Sequence, residues 1–269
     1  MSEQPILVEQ FTGYRIITFN RPDKLNAFNE AMHQALRQAI AEAEADENTR
    51  ALMITGNGRG FCAGQDLADR LAAPGETVVL GGTLEQHYNP LVRKLRSLPF
   101  PVVAAVNGVA AGAGANIALA CDIVVAAKSA SFIQSFARIG LIPDSGGTWF
   151  LPRLVGEARA RGLALIAQEL PAEKAANWGL IWQCVNDNAL IYEARRICEH
   201  FAAAPTQGLA LIKRALNASV TNTLEAQLDL ERDLQREASL TPDYAEGVRA
   251  FMEKRKAIFT GRKGKSGKD

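Results

Sequence analysis

Two glycine-rich turns in this 269-residue chain could do chemistry with main-chain groups alone. They are Cys62-Ala63-Gly64-Gln65-Asp66-Leu67 and Ala111-Gly112-Ala113-Gly114. We interpret each as a strand followed by a helix start, where glycine lets a ligand approach and free N–H groups point outward. Two such N–H groups converging on one oxygen form an oxyanion hole, typically contributing about 2.7–4 kcal/mol per donor. The alternative, that both are tight packing turns, stays open on composition alone.

Neither turn has the residues of a nucleotide site. No Gly-Lys-Ser/Thr follows either turn, which excludes a Walker-type phosphate loop. The pair Gly112 and Gly114 also lacks a third glycine, because Ile117 stands at that position. The dinucleotide fingerprint is therefore incomplete, which argues against nicotinamide or flavin binding.

Asp144 is the third candidate, between Pro143 and Ser145-Gly146-Gly147. An Asp just ahead of a helix is typically its N-cap. The alternative is a carboxylate on the rim of a largely apolar pocket formed by Phe136, Leu141 and Ile142. Desolvation there would raise its pKa above the reference value of about 3.9 and make it a better base. The residues alone leave both alternatives open.

Alternating strands and helices must position these turns. Apolar runs and turn signals predict strands at 6–9, 14–20, 51–55, 101–106, 122–127, 131–134 and 182–185. Helices are predicted after Asn29, a suitable N-cap, over 84–98 and 115–120, and through the last third of the chain. There Asn222-Thr223-Leu224-Glu225 has the capping-box pattern, and Thr241-Pro242 is typical of a helix start. Residues 72–82 are predicted to be a flexible insertion.

This order of elements predicts two regions. A repeated strand–turn–helix core covers residues 1–197, and a helical C-terminal region covers residues 198–269.

Composition and charge argue against several other functions. The net charge is +1, with 48% hydrophobic and 22% charged residues, so nothing favours nucleic acid or membrane as a partner. Four cysteines without a CxxC motif indicate reduced thiols and a cytoplasmic location, and three histidines without HExxH indicate no metal site. The N-terminus does not have the pattern of a signal peptide. The basic segment 254–256 and the tail from residue 262 are interpreted as solvated, since no aromatic platform for RNA accompanies them.

Five motifs, in order along the chain, resemble the crotonase (enoyl-CoA hydratase/isomerase) superfamily. They are Asn20-Arg21-Pro22 with Asn26-Ala27, FCAGQDL at 61–67, AVNGVAAGAG at 105–114, Cys121-Asp122-Ile123 and GLIPDSGGT at 140–148. The resemblance covers essentially the whole chain. It implies an α/β fold, a crotonase-like spiral of ββα units with a C-terminal α-helical trimerisation region. It also implies a homotrimer or dimer of trimers and an acyl-CoA thioester substrate, with no separate cofactor because coenzyme A is part of the substrate.

The resemblance also implies roles for individual residues. The anion would be a thioester enolate held by the backbone N–H groups of Gln65 and Ala113, with Asp144 as the catalytic acid/base. The implied substrate-binding positions are Lys24, Leu25, Ala27, Ala63, Gly64, Asp66, Leu67, Gly112 and Pro143. Phe259 and Lys263 fall where the family often contacts the adenine or phosphate of coenzyme A.

Two departures from the hydratase pattern reduce the range of reactions that the site could catalyse. Hydratases of the family carry one Glu where this chain has Asn116, and a second Glu where it has Phe136. Phe cannot move protons and Asn is a poor substitute for a carboxylate. Asp144, in contrast, matches the Asp used by dienoyl-CoA and related isomerases of the family. A single carboxylate suits a proton shuttle better than the activation of water.

Four segments are similar to isomerases of the family that act on a ring-epoxide acyl-CoA and shift 3,4-enoyl thioesters to 2,3-enoyl thioesters. These segments are residues 64–67, 87–93, 143–149 and 178–183. His87 and Tyr88 are candidates for the acyl pocket, with packing and surface roles as the alternative. A hydratase, or a dehalogenase or hydrolase with Asp144 as nucleophile, is the alternative function on the same fold.

Overall fold

The structure, a computed structural model, describes residues 4–70 and 80–261. The strands of these residues are β1 Ile6–Phe11, β2 Tyr14–Phe19, β3 Ala51–Gly56, β4 Gly60–Cys62, β5 Val102–Val106, β6 Val109–Ala111, β7 Ile123–Ala127, β8 Ser131–Ile133, β9 Leu170–Pro171 and β10 Gln183–Val185. The helices are α1 Glu30–Ala45, α2 Gly81–Thr83, α3 Asn89–Ser97, α4 Ala113–Ala120, α5 Gly147–Val155, α6 Glu157–Ile166, α7 Ala172–Asn177, α8 Leu190–Ala203, α9 Thr206–Ser219, α10 Leu224–Ser239 and α11 Pro242–Met252. A π-helical turn at Leu84–Tyr88 joins α2 to α3, and 3₁₀ turns lie at Pro22–Lys24, Leu67–Arg70, Ser135–Ile139 and Asp187–Ala189.

From β3 to β8, consecutive strands alternate between two sheets. β3, β5 and β7 are parallel neighbours in a six-stranded sheet of order β1-β2-β3-β5-β7-β10. The strand that follows each of them lies in a four-stranded sheet of order β4-β6-β8-β9, where β4, β6 and β8 are again parallel. Each turn of the chain therefore adds one strand to each sheet. This is the ββα spiral that the family resemblance implied.

The centre of the larger sheet is buried because helices pack on it. All five residues of β5 are buried, and α8 packs across β3, β5 and β7. α1 packs beside β1 and β2 and buries its predicted face of Met32, Leu36, Ala39, Ile40 and Ala43. Its N-cap is Asn29, as predicted, whose side chain accepts from the Met32 N–H at 3.0 Å.

Several local predictions were wrong. The first glycine turn leads into a 3₁₀ turn at Leu67–Arg70 and not into an α-helix. Val109–Ala111 is a strand rather than part of the glycine turn, and α4 begins at Ala113 instead of residue 115. Short, alanine-rich β6 has little strand propensity of its own and is a strand because it pairs with β4 and β8. Strand β9 was not predicted. The capping box on α10 was also wrong, because Thr223 alone is the N-cap and accepts from the Ala226 N–H at 3.3 Å.

The C-terminal third of the chain is helical, as predicted. Residue 197, where the sequence placed the domain boundary, lies inside α8, which packs on the sheet. α10 and α11 leave apolar side chains exposed: Leu224, Leu228, Tyr244, Phe251 and Met252. No helix within the described ranges combines the length and apolar character that a membrane span requires. Most of the predicted insertion at 72–82 lies outside the described residues, while Gly81 and Gly82 belong to α2.

Lys213 on α9 is a buried cation that joins three parts of the fold. Its Nζ donates to Asp122 Oδ2 and to the Leu95 carbonyl oxygen, both at 2.7 Å. Asp122 Oδ2 also accepts from the Val102 N–H at 2.8 Å. The C-terminal helices are therefore tied to α3 and to the start of β5 by one ion pair.

Replacing Lys213 by Met is expected to lower the free energy of unfolding by about 2–4 kcal/mol, because the Asp122 carboxylate loses its buried partner. Urea unfolding followed by circular dichroism measures the change. The control is Lys128→Met, because Lys128 pairs with Glu173 at 3.3 Å on the surface, where ion pairs contribute little. Equal unfolding midpoints for the two variants would contradict this role of Lys213.

Candidate functional site

A cavity of about 320 Å³ opens at the carboxyl ends of β4, β6 and β8. Because these strands are parallel neighbours, the loops that follow them start at one edge of the sheet. The cavity is lined by Ala63, Gly64, Gln65, Leu67, Leu80, Leu84, Tyr88, Gly112, Ala113, Ser135, Phe136, Ile139, Leu141 and Asp144. The two glycine turns and Asp144, far apart in the sequence, therefore meet at one cavity.

The Gln65 N–H points away from Phe28, the residue with which Gln65 forms a β-bridge. Gln65 forms a parallel bridge with Phe28, in which the Phe28 N–H donates to the Gly64 carbonyl oxygen at 2.7 Å and the Asp66 N–H donates to the Phe28 carbonyl oxygen at 2.9 Å. In such a bridge the N–H of the middle residue points to the opposite side. Within the described part of the chain, this N–H has no acceptor.

The Ala113 N–H is the first of α4, and it too has no acceptor among the described residues. The first N–H groups of a helix have no partner inside the helix and carry its positive dipole end. Gly64 lies beside it, with φ at +90°, and a Cβ at this position would come within 3.3 Å of the Ala113 nitrogen. Glycine at 64 therefore satisfies the backbone angle and keeps a side chain out of the space between the two turns.

The Asp144 carboxylate is held by its neighbour. Ser145 Oγ donates to Asp144 Oδ1 at 2.8 Å, and Ser145 is buried with φ at +51°. The N-cap of α5 is Gly146, without a side-chain capping bond. The N-cap alternative for Asp144 was therefore wrong, and the side chain belongs to the cavity wall. Of its expected apolar neighbours, Phe136 and Leu141 line the cavity, whereas Ile142 is 78% exposed.

Asn116 does not line the cavity. It is fully buried on α4, one helical turn after Ala113, and its Nδ2 donates to the Asp144 carbonyl oxygen at 2.8 Å. The neighbouring Phe136 does line the cavity. Of the described lining residues, Asp144 alone therefore carries a carboxyl group.

The side chains of Tyr88 and Gln65 contact each other next to the first glycine turn. Tyr88 lines the cavity, and its hydroxyl donates to Gln65 Oε1 at 2.9 Å. Gln65 Nε2 donates to the Phe28 carbonyl oxygen at 3.0 Å, so the side chain of the donor residue is held on both sides. His87 instead faces a second cavity of about 220 Å³ and pairs with Glu30 at 3.0 Å. Sequence reasoning could not separate the two neighbours.

Four of the predicted substrate-binding residues line the cavity, namely Ala63, Gly64, Leu67 and Gly112. The others, Lys24, Leu25, Ala27, Asp66 and Pro143, are not among its described lining residues.

The loop that contains Lys24, Leu25 and Ala27 packs beside the first glycine turn. The Ala63 N–H donates to the Leu25 carbonyl oxygen at 2.9 Å, and Lys24 lines a separate cleft of about 410 Å³. Phe259 lies against Arg50 and Gly247, and Lys263 lies outside the described residues.

Asp66 has a structural partner. Its Oδ2 accepts from Arg21 Nη2 at 2.9 Å. Although burial alone would raise the pKa of Asp66, the hydrogen bonds from Arg21 and from the Ala68 N–H, together with the Arg21 and Lys24 charges, lower it. Asp66 therefore stays ionised and fixes the loop of Arg21 to the first glycine turn.

Two other kinds of chemistry have no support here. Burial raises the pKa of Cys62, at the end of β4, to about 12, so this thiol stays protonated and is a poor nucleophile. None of the four cysteines, all of them within the described ranges, forms a disulfide. Within residues 4–70 and 80–261, no group of three or more His, Cys, Asp or Glu side chains is placed to hold a metal ion.

The insertion at residues 72–82 was expected to shape the acyl pocket, and its residue Leu80 lines the cavity. Sequence reasoning missed the lining residues Leu84, Ser135 and Ile139. Ser135 and Ile139 could have been found from the strand order, because they follow β8 and β8 pairs with β6. Leu84 had no such signal, because its segment reaches the cavity only through the tertiary fold. The complete site offers two free N–H groups for an anionic oxygen, one carboxylate to move a proton, and largely apolar walls.

The chain is similar to known proteins over most of its length. The family model for enoyl-CoA hydratase/isomerase matches residues 11–262. A 1,2-epoxyphenylacetyl-CoA isomerase of Escherichia coli (strain K12) is 55% identical over 251 residues, covering 93% of this chain and 96% of that protein. A Rhodobacter capsulatus protein with the name "Probable enoyl-CoA hydratase" is 49% identical, covering 97% of this chain and all of that protein (100%).

Solved structures agree on the fold. The crystal structure of an enoyl-CoA hydratase from Bacillus anthracis has a TM-score of 0.88 at 31% identity, covering 96% of this chain and 100% of that chain. An enoyl-CoA hydratase from Polaromonas sp. JS666 has a TM-score of 0.87 at 34% identity, covering 94% of this chain and 99% of that chain.

His33, which stacks on His87 and lies edge-on to Tyr88, is expected to make stability depend on pH. Burial first, and then the neighbouring His87, lowers the pKa of His33 from 6.5 to about 4. Below pH 6.5 the unfolded chain takes up a proton at His33 that the folded protein does not accept until about pH 4. The stability present above pH 6.5 is therefore lost as the pH falls, by a total of about 3 kcal/mol.

Urea unfolding between pH 7 and pH 4.5 measures this loss, and His33→Phe is the comparison because it keeps an aromatic ring in the stack. The free energy of unfolding of the variant should fall less steeply over this range. Equal slopes in the two proteins would show that His33 is not the group that titrates.

Proposed function

Because this chain belongs to the enoyl-CoA hydratase/isomerase family, we propose that it is an acyl-CoA isomerase that works through a thioester enolate. Asp144 is its acid/base residue. One observation carries the proposal: the cavity joins two N–H groups that have no acceptor among the described residues to a single lining carboxylate. The 55% identity to the Escherichia coli isomerase supports 1,2-epoxyphenylacetyl-CoA as the substrate and oxepin-CoA as the product. Isomerisation of 3,4- to 2,3-enoyl-CoA is the related activity.

The shift of a 3,4-enoyl thioester to a 2,3-enoyl thioester moves one proton from one carbon to another within the same molecule. The thioester carbonyl oxygen accepts hydrogen bonds from the Gln65 and Ala113 N–H groups. The Asp144 carboxylate removes a proton from the carbon next to the thioester, and the electron pair of that C–H bond moves into the enolate. The protonated Asp144 then gives the proton to the carbon at the far end of the conjugated system. The double bond ends beside the thioester, and Asp144 is again ionised.

The main-chain donors stabilise the charge that develops on the thioester oxygen. Donors of this kind act most strongly where water is excluded, because the effective dielectric constant is low there. The apolar walls formed by Leu67, Leu84, Phe136 and Leu141 supply that surrounding. They also keep water from adding to the intermediate.

The coenzyme A part of the substrate is placed along the loop of Lys24, Leu25 and Ala27. This loop is bonded to the first glycine turn through the Ala63 N–H, and Lys24 supplies a positive charge beside it. Asp66 and Pro143 contribute indirectly, because Asp66 is adjacent to the donor residue Gln65 and Pro143 is adjacent to Asp144.

Hydration is less well supported than isomerisation. Activation of water by this family would use two carboxylates at the positions of Asn116 and Phe136, and neither residue can exchange a proton at neutral pH. The hydratase name of the Rhodobacter capsulatus relative makes hydration the alternative to be tested directly.

Association of copies of this chain completes the proposal. The exposed apolar side chains of α10 and α11, such as Leu224, Phe251 and Met252, form a surface suited to burial between subunits. We assign this surface to a homotrimer or dimer of trimers.

Asp144→Asn is expected to lower kcat for 3-enoyl-CoA isomerisation by about 10²–10⁴-fold, because the amide cannot accept the substrate proton. The growth of conjugated 2-enoyl thioester absorbance measures the rate. Glu173→Gln, an exposed position on α7, is the control and should retain full activity. An Asp144→Asn variant with full activity would contradict the proposal.

Incubation in oxygen-18 water separates the alternatives. Isomerisation incorporates no label, whereas a hydratase places heavy oxygen in the product. Label in the Asp144 carboxylate after a single turnover would instead indicate a covalent ester.

Gly64→Ala is expected to lower kcat by about 10²-fold or more, because the added methyl group comes within 3.3 Å of the Ala113 nitrogen and obstructs that donor. Gly64 has φ at +90°, and a Cβ there also comes within 3.0 Å of the Ala111 carbonyl oxygen, so the thermal midpoint should fall as well. Gly162→Ala is the control, since a Cβ there meets nothing within 4 Å. An unchanged kcat in Gly64→Ala would contradict the oxyanion-hole role of the two turns.

A further inference from the structure

Asn116 is a buried polar residue that the proposed reaction does not use. It is 0% exposed on α4, and its Nδ2 donates to the main-chain oxygen of Asp144 at 2.8 Å. The carboxylate of Asp144 takes no part in this bond. The contact therefore acts on the position of the Asp144 backbone.

The orientation of the Asn116 amide follows from its partners. The Asp144 carbonyl oxygen can only accept, so the Asn116 NH₂ group must face it. The Asn116 Oδ1 then faces Gln134 Nε2, which donates to it at 2.9 Å. Gln134 is 3% exposed, and its own Oε1 has no partner among the described residues. Leaving a buried oxygen unpaired costs free energy of folding. Despite this cost, the two hydrogen bonds of Asn116 hold its amide in one orientation.

The loop that carries Asp144 needs such support. Residues 141–144 belong to no helix or strand, and Ile142 is largely exposed. The Gly147 N–H also donates to the Asp144 carbonyl oxygen, at 2.8 Å, but this bond lies within the turn and cannot fix the turn relative to the rest of the site. The Asn116 bond comes from another element and can.

We propose that Asn116 is a positioning residue that sets the distance between the Asp144 carboxylate and the oxyanion hole. Ala113 and Asn116 are three residues apart on one helix, which separates them by about 4.5 Å along its axis. One rigid helical turn therefore carries an N–H donor at one end and the anchor of the base at the other. This inference rests on the proposed function, since it assigns the role of base to Asp144.

The same geometry explains why residue 116 is an asparagine, whose amide group can donate a hydrogen bond. A carboxylate at position 116 would place an acceptor against the carbonyl oxygen of Asp144 and could not donate to it. A residue at this position can supply a carboxylate to the reaction or anchor Asp144, but it cannot do both. In this chain it is the anchor.

Asn116→Asp tests the proposal because it keeps the shape of the side chain and removes the donor. We expect kcat to fall by about 10–100-fold, as a misplaced catalytic group does, while KM changes less than about threefold because the binding wall is intact. Asn107→Asp is the matched control. Asn107 Nδ2 likewise donates to a carbonyl oxygen, that of Gly58, at 2.9 Å, but Gly58, unlike Asp144, does not line the cavity. This control should lose stability without losing kcat.

The pH profile gives a second readout, which a purely structural role would not move. Burial raises the pKa of a carboxyl group, so the introduced group takes up a proton as the pH falls and can then donate to the Asp144 carbonyl oxygen. The ratio of the variant's kcat to that of the wild type should rise as the pH is lowered from 8 to 6. Asp144 is the titratable residue next to this contact and is present in both proteins, so the two profiles are compared as a ratio rather than singly.

The outcomes are distinct. If Asp144→Asn is inactive and Asn116→Asp keeps the wild-type kcat, the positioning role is overturned and the proposed function stands. If Asp144→Asn is fully active, the proposed function itself fails. Should Asn116→Asp not fold, Gln134→Met unlocks the amide with Asn116 in place. In that variant an unchanged kcat overturns the proposal, and a kcat lowered several-fold at constant KM supports it.

Discussion

The close packing of α4 against β4 is the constraint on which the rest of the site depends. Every residue of this helix is buried, and a Cβ on Gly114 would come within 2.3 Å of the Cys62 carbonyl oxygen. Only a residue without a Cβ at position 114 lets the helix lie so near the strand. That contact brings the Ala113 N–H beside the Gln65 N–H, and it places Asn116 under the Asp144 loop. A larger residue at the contact would move all three together.

Because the proposed anion donors are main-chain N–H groups, the side chains of the same residues can form other contacts. Gln65 shows this division. Its N–H points away from Phe28, while its side chain bonds to the Phe28 carbonyl oxygen and to the Tyr88 hydroxyl. Ala113 has no polar side chain, and the Asp144 carbonyl oxygen is bonded independently of the carboxylate. The chemistry of the cavity is thus concentrated in very few groups, and the residues around them hold those groups in place.

The sequence predicted what depends on near neighbours along the chain. Strand β5, the two glycine turns and Asp144 were found because their residue types have local meaning: an apolar run, a φ suited to glycine, a carboxylate before a helix. Strand β6, the Tyr88–Gln65 bond and the position of Asp66 were not found, because each depends on a partner from a distant part of the chain. Asn116 was recognised as the residue where a hydratase would carry Glu. Its bond to Asp144 could be found only in three dimensions.

The winding of the chain between two sheets also bears on how the protein folds. Strands β4, β6 and β8 are never consecutive in sequence, so each pairing in the smaller sheet closes a long loop and loses the corresponding entropy before it gains contacts. Parallel sheets of this kind are intrinsically slow to form. The cavity opens where those three strands end, so it cannot exist in a partly wound chain. A folding intermediate that contains only the larger sheet would already have most of the core and would have no catalytic power.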